Sequence, residues 1–170
     1  GYKDLVAKIQ PQLQELLATK QLVYLSTSSA WGVMEGAIRN LVQKKVLNCM
    51  CGAFSDKWLD VAKRCGKPAE GLQVDWGSPI RPEQIDAKLA TGQFDALTLI
   101  HNETSTGTMS PLAEIAALKQ KYPDVLFSAD AVSAMTALPS KFDALGMDVL
   151  LAGTQKAFAM PPGFAVFVCS

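Results

Sequence analysis

Four short polar segments carry the residue types that could do chemistry. The last of them is Gly153-Thr154-Gln155-Lys156, which follows an apolar run and leads into AFAMPPGFA. Apolar surroundings hold an amine toward its neutral form and make it a nucleophile for a carbonyl carbon. The plain alternative is a lysine whose stem lies on apolar surface while its head reaches water. Asp130 closes the run VLFSAD, just before Ala131-Val132-Ser133. It is either a cap or a carboxylate at the mouth of a sheet, suited to a cationic ring nitrogen or a metal. A metal would need further carboxylates or histidines close by, and no clear set is present. The segment His101-Asn102-Glu103-Thr104-Ser105-Thr106-Gly107 is more polar than a turn requires. His101 there is a candidate base or a group that holds the loop by hydrogen bonds. Ser26-Thr27-Ser28-Ser29-Ala30-Trp31-Gly32 offers hydroxyls and, at the start of a helix, free backbone N–H groups that suit a phosphate. It has neither glycine fingerprint of the nucleotide sites, which argues against a dinucleotide-binding domain.

Such segments act together only if a scaffold gathers them. Short β-type runs alternate with amphipathic stretches of helix length. LVYLS (22–26) precedes a helix in which Met34, Ala37, Ile38, Leu41 and Val42 share a face. VLNCMC (46–51) precedes SDKWLDVAKRC, a helix ended by Gly66. LQVDW (72–76) precedes a helix that starts near Pro82, with Ile85 and Leu89 four apart. FDALTLI (94–100), the helix PLAEIAALKQKY (111–122) and VLFSAD (125–130) follow, and DVLLAG (148–153) and FAVFVC (164–169) complete the series. Strands this apolar, alternating with helices, predict an α/β protein: a mainly parallel sheet buried between helices on both faces. The four polar segments then lie where strands end and helices begin, the usual ligand side of such a sheet.

With 170 residues, the chain is long enough for one substantial core. Sixteen basic and sixteen acidic residues cancel, so charge balance points to no nucleic-acid partner. No apolar run approaches a membrane span, and GYKDLVAKIQPQLQELL reads as an amphipathic helix without a signal-peptide core. A cytoplasmic setting with no membrane partner is the expectation. Cys49 and Cys51 share one face of a strand and read as reduced structural thiols, with no metal site.

Taken together, HNETSTG (101–107), SADAVSA (128–134) and GTQKAFAMPPG (153–163) resemble the class V aminotransferases of pyridoxal-phosphate (PLP) fold type I. The resemblance is closest to the serine/alanine–glyoxylate (serine–pyruvate) branch and covers almost the whole chain. It implies a three-layer large domain, here 1–170, from which an N-terminal segment and a C-terminal small domain are missing. It implies that Lys156 is the lysine that binds PLP as a Schiff base and moves the substrate α-proton, and that Asp130 faces the pyridine nitrogen. Thr104 is similar to the hydroxyl residue near the ring's 3-oxygen. Ser29, Ala30, Trp31 and Gln155 fall on phosphate contacts. Phe54 falls at the ring-stacking position, and Val132 on the opposite ring face. Relatives usually have glycine and a small residue, threonine or histidine where this chain has Ala30 and Trp31. The implied activity is ping-pong transfer of an amino group from serine or alanine to glyoxylate or pyruvate, by a homodimer. Alternatives are another class V enzyme (an aminoethylphosphonate transaminase, a cysteine desulfurase or a lyase) or a PLP-fold protein that has lost the cofactor.

Overall fold

A computed structural model describes all 170 residues. The chain opens with α1 (Tyr2–Leu17), β1 (Val23–Ser26), α2 (Ala30–Leu41), β2 (Val46–Met50), α3 (Ala53–Arg64), β3 (Ala69–Gln73), α4 (Pro82–Leu89) and β4 (Ala96–Ile100). A two-residue hairpin follows, β5 (Asn102–Glu103) with β6 (Thr108–Met109). Then come α5 (Leu112–Ala117), a 3-10 turn (Leu118–Gln120), β7 (Leu126–Asp130), α6 (Phe142–Leu145), β8 (Val149–Gly153) and β9 (Ala165–Cys169). The main sheet has seven strands in the order β1-β9-β8-β7-β4-β2-β3. Strands β8, β7, β4, β2 and β3 run parallel, and β9 is antiparallel to both β8 and β1.

Period-two alternation on each strand divides the core into two layers. Leu47, Leu97, Leu99, Phe127, Leu150 and Val168 point to the face covered by Leu17 of α1, Ile85 and Leu89 of α4, Ile115 of α5 and Phe142 of α6. Their neighbours Val46, Ala96, Ile100, Val149 and Leu151 point the other way, under Val33, Met34 and Ile38 of α2 and Trp58 and Ala62 of α3. Burying each large apolar side chain contributes roughly 1.5–3 kcal/mol, so both faces of the central strands are well fastened. The α2/α3 layer also covers a buried polar row in register across the sheet, Asn48, Thr98 and Ser128. Asn48 Nδ2 donates to Thr98 Oγ1 at 2.5 Å.

Side-chain caps fix the entry into two strands. Asp95 accepts the backbone N–H groups of Gln43, Lys44 and Lys45, at 2.9, 2.7 and 3.0 Å, which sets where β2 begins beside β4. Gln10 of α1 hydrogen-bonds both backbone groups of Val23, with the N–H bond at 3.2 Å, and so satisfies part of the open edge of β1.

Three boundaries differ from the pattern read in the sequence. The third parallel strand is residues 69–73 and not 72–76. It lies at the sheet edge and pairs with β2 alone, so backbone register and not apolar content places it. Gly71 permits this close pairing, because a Cβ there would fall 2.6 Å from Met50 Sδ. The helix expected over 111–122 is α5 followed by a tighter 3-10 turn. The β5–β6 hairpin is too short to leave a periodic signal.

Candidate active site

The cleft lies beyond the carboxyl ends of β4, β7 and β8, where α2 and α3 begin on the same side of the sheet. Lys156, Asp130, Thr104, Gln155, Ser29, Ala30, Trp31, Phe54 and Val132 all line it. Each reaches it by a local rule. Asp130 and Ile100 are the last residues of β7 and β4, in register with one another. Asn102 and Thr104, two apart beyond β4, face the same way by strand alternation. Ser29 is the N-cap of α2, and Ala30 and Trp31 are its first two helical residues.

Asp130 is 4% exposed, and its Oδ1 accepts one hydrogen bond, from the backbone N–H of Val132 at 2.7 Å. Burial pushes the carboxyl up to about 7; the Val132 N–H pulls it down and the nearby Glu103 carboxylate pushes it up further. A buried carboxylate with so few partners suits a cation arriving in the cleft. Asn102 Oδ1, on the same wall, is also buried without a partner. Thr104 Oγ1 and Ser133 Oγ are 2.6 Å apart, which joins the loop after β4 to the loop after β7.

At the opposite end, the first N–H groups of α2 have no partner within the helix, and its dipole favours an anion there. The Ser29 hydroxyl makes no capping bond and remains available. Gly32 keeps the turn tight: a Cβ there would meet Ser28 Oγ at 2.8 Å. Gly153 leaves room for the Gln155 carboxamide, whose Oε1 would be 2.6 Å from an added Cβ. The Trp31 indole is half-buried against the α2/α3 layer. Lys57 Nζ stands 5.9 Å from its centroid and 5.4 Å from that of Phe54, so one cation covers both rings. The indole therefore forms a side wall shared with the groove beside Glu35 and Asp60.

Two readings left open by the sequence are decided. Lys156 is exposed at the cleft rim and not buried, because Met160 and Phe164 of its apolar neighbourhood themselves turn to solvent. His101 points away from the cleft, into a groove with Ser110, Glu114 and Ser140 on the α5 side. Strand alternation requires this, since Ile100 and Asn102 on either side of it face the cleft. Burial lowers the His101 pKa. The cysteines are free, and no cluster of metal-ligating side chains is present. No helix is long and apolar enough to cross a membrane.

Asn102 and Glu103 went unassigned in the sequence reading. Alternation with Thr104 was the signal available for Asn102. Glu103 is fully buried, and its carboxylate receives N–H groups from the start of α3.

Comparison with known proteins identifies the family. The family model for class-V aminotransferases matches residues 15–170. The chain is 32% identical over 160 residues to a serine–glyoxylate aminotransferase of Methylorubrum extorquens, covering 90% of this chain and 40% of the relative. It is likewise 32% identical over 158 residues to an L-aspartate–glyoxylate aminotransferase of Paracoccus denitrificans, covering 89% and 40%. The crystal structure of an alanine–glyoxylate aminotransferase from Nostoc sp. superposes with a TM-score of 0.91 at 29% identity, over 98% of this chain and 45% of that one. The chain thus spans less than half the length of these relatives.

Proposed function

We propose, from the premise that this chain belongs to the class-V aminotransferase family, that it is the cofactor-binding large domain of a PLP-dependent aminotransferase. The amino donor in this reading is serine or alanine and the acceptor glyoxylate or pyruvate; the whole protein acts as a cytoplasmic homodimer. The observation that carries it is the cleft itself: a buried, under-partnered Asp130 at one end, an open helix N-terminus at the other, and Lys156 on the rim.

The residues fit the group. When bound, PLP supplies an aldehyde that amines condense with and a ring that accepts electrons from the substrate α-carbon. Asp130 would hold the proton on the ring nitrogen by giving it a counter-charge at a nearly buried position. The Ser29 hydroxyl, the N–H groups of Ala30 and Trp31 and the Gln155 carboxamide would hold the phosphate. Phe54 and Val132 would flank the ring, and the Thr104 hydroxyl, steadied by Ser133, would meet its 3-oxygen. Lys156 Nζ would take the proton from the substrate α-carbon and return it at the far end of the reacting system.

The test is borohydride reduction of the folded protein incubated with PLP, followed by peptide mass mapping. A phosphopyridoxyl adduct on the peptide containing Lys156, absent from Lys156→Ala, is expected. A folded, reduced full-length dimer with no adduct at Lys156 would overturn the reading.

A further inference from the structure

The cleft is flanked by a charge that the proposed chemistry does not use. Glu103 is wholly buried and has no basic partner. Its Oε2 accepts the Ser55 N–H at 2.8 Å. Its Oε1 accepts the Phe54 N–H at 3.3 Å, and the Ser105 N–H and hydroxyl at 3.1 and 2.7 Å. Ser105 Oγ in turn accepts the Ala53 N–H at 3.0 Å. The three leading N–H groups of α3 are thus met by two residues of the loop after β4.

We propose that Glu103 is a positioning residue, a clamp whose carboxylate, by holding the Phe54 backbone, fixes the Phe54 ring and the Thr104 hydroxyl relative to one another in the cofactor cleft.

Three features support it. First, the capping is non-local. A helix start is ordinarily satisfied by a Ser, Thr, Asp or Asn at the N-cap. Here the N-cap is Gly52, and the acceptor of the Phe54 N–H lies 49 residues beyond Phe54. Gly52 also makes the approach possible: a Cβ there would fall 2.6 Å from Glu103 Cδ and 2.7 Å from Ser105 Oγ.

Second, the chain on either side of Glu103 belongs to the cleft. Asn102 and Thr104 line it while Glu103 turns outward to α3, and Phe54, held by Glu103, lines the same cleft. A shift of the carboxylate therefore moves two adjoining parts of the cleft lining at once.

Third, the charge is stabilised where it lies. Burial works against ionisation, but the hydrogen bonds from Ser105 and Ser55 outweigh it and hold the carboxyl below its ordinary range. The positive end of the α3 dipole adds to this. The clamp therefore stays charged and closed throughout the neutral range.

This inference rests on the cofactor reading above, and its test separates the two. In the full chain, Glu103→Gln places an amide donor among donors, and Ser105→Ala removes one link while leaving the carboxylate. Ile85→Val, in the opposite core layer, is the control for general loss of stability. PLP affinity by absorbance titration should fall roughly tenfold or more in E103Q and about threefold in S105A, as expected for losing hydrogen bonds to a buried charge. Amide exchange over residues 53–56, measured without cofactor, should accelerate in both variants. I85V should change neither. Affinity lost no more in E103Q and S105A than in I85V, or exchange at 53–56 unchanged in E103Q, would overturn the clamp. Wild-type protein that binds no PLP would overturn the cofactor reading and with it the positioning role, even where faster exchange showed that Glu103 holds α3.

Discussion

Val132 donates its backbone N–H to Asp130 Oδ1 across 2.7 Å, and this is the one hydrogen bond the Asp130 side chain accepts. Burial lifts that carboxyl from its ordinary 3.8 to about 7. A carboxyl with a higher pKa folded than unfolded binds its proton more tightly in the folded state. Its contribution to stability is therefore full below the lower of these values and is lost as pH rises through the higher one. The cofactor-free protein should lose stability between pH 4 and pH 7, on the order of 4 kcal/mol from this group, at about 1.4 kcal/mol per pKa unit. Asp130→Asn should remove that slope and be the more stable protein at pH 8. Urea unfolding of both proteins at pH 5 and pH 8 checks this; parallel pH dependence in the two would assign the slope elsewhere.

Phe54 is 37% exposed, so its ring contributes little to the core. Phe54→Ala should leave the melting temperature nearly unchanged. It should weaken PLP binding by about threefold to tenfold, the scale of an aromatic contact. Phe54→Trp should keep most of the affinity. An absorbance titration in which F54A matches wild type would detach this ring from the cofactor.

Gly153→Ala tests the proposed phosphate end. The added Cβ meets Gln155 Oε1, the tip of a flexible side chain that can swing away, so the stability cost should stay below about 1 kcal/mol. The displaced carboxamide should cost affinity for PLP but not for pyridoxal, which has no phosphate. Equal losses for both ligands would argue that the backbone has moved.

Asp95 makes a separable prediction about the fold. Removing the acceptor of three backbone N–H groups in Asp95→Ala should cost roughly 2–4 kcal/mol. Asp95 precedes β4, at the end opposite the cleft, so PLP affinity per folded molecule should hold. Urea unfolding and cofactor titration of the same variant report the two quantities.

The sequence showed the architecture wherever strands are buried on both faces. VLNCM, ALTLI and VLLAG are apolar runs that no surface strand would carry, and each is a wholly buried strand. The edge strand AEGLQ was misplaced by three residues, because an edge partner needs backbone pairing more than apolar side chains. The Ser26–Gly32 segment, Asp130 and Lys156 are legible because they sit at strand ends and helix starts, whereas Phe54, Thr104, Val132 and Gln155 follow only from the family resemblance. Exposure was not legible. Lys156 has apolar neighbours, yet Met160 and Phe164 among them face outward, which composition does not reveal. Glu103 was passed over for a related reason: its role exists only through Phe54 and Ser55, far away along the chain.

The pairing of β1 with β9 has a consequence for biosynthesis. β1 has one strand neighbour, and that neighbour begins 139 residues after β1 ends, taking Ser26 and Ala165 as the bounds. A ribosome adding about 5–20 residues per second would leave β1 without its partner for on the order of 10 s. During that interval the exposed side chains of Leu22, Tyr24 and Leu25 and an open backbone ladder face the crowded exit of the tunnel. The nascent chain can complete β2, β4, β7 and β8 in turn as they emerge. The flank holding Ser26 and the turn into α2 closes only when β9 arrives, after the other strands of this sheet have emerged.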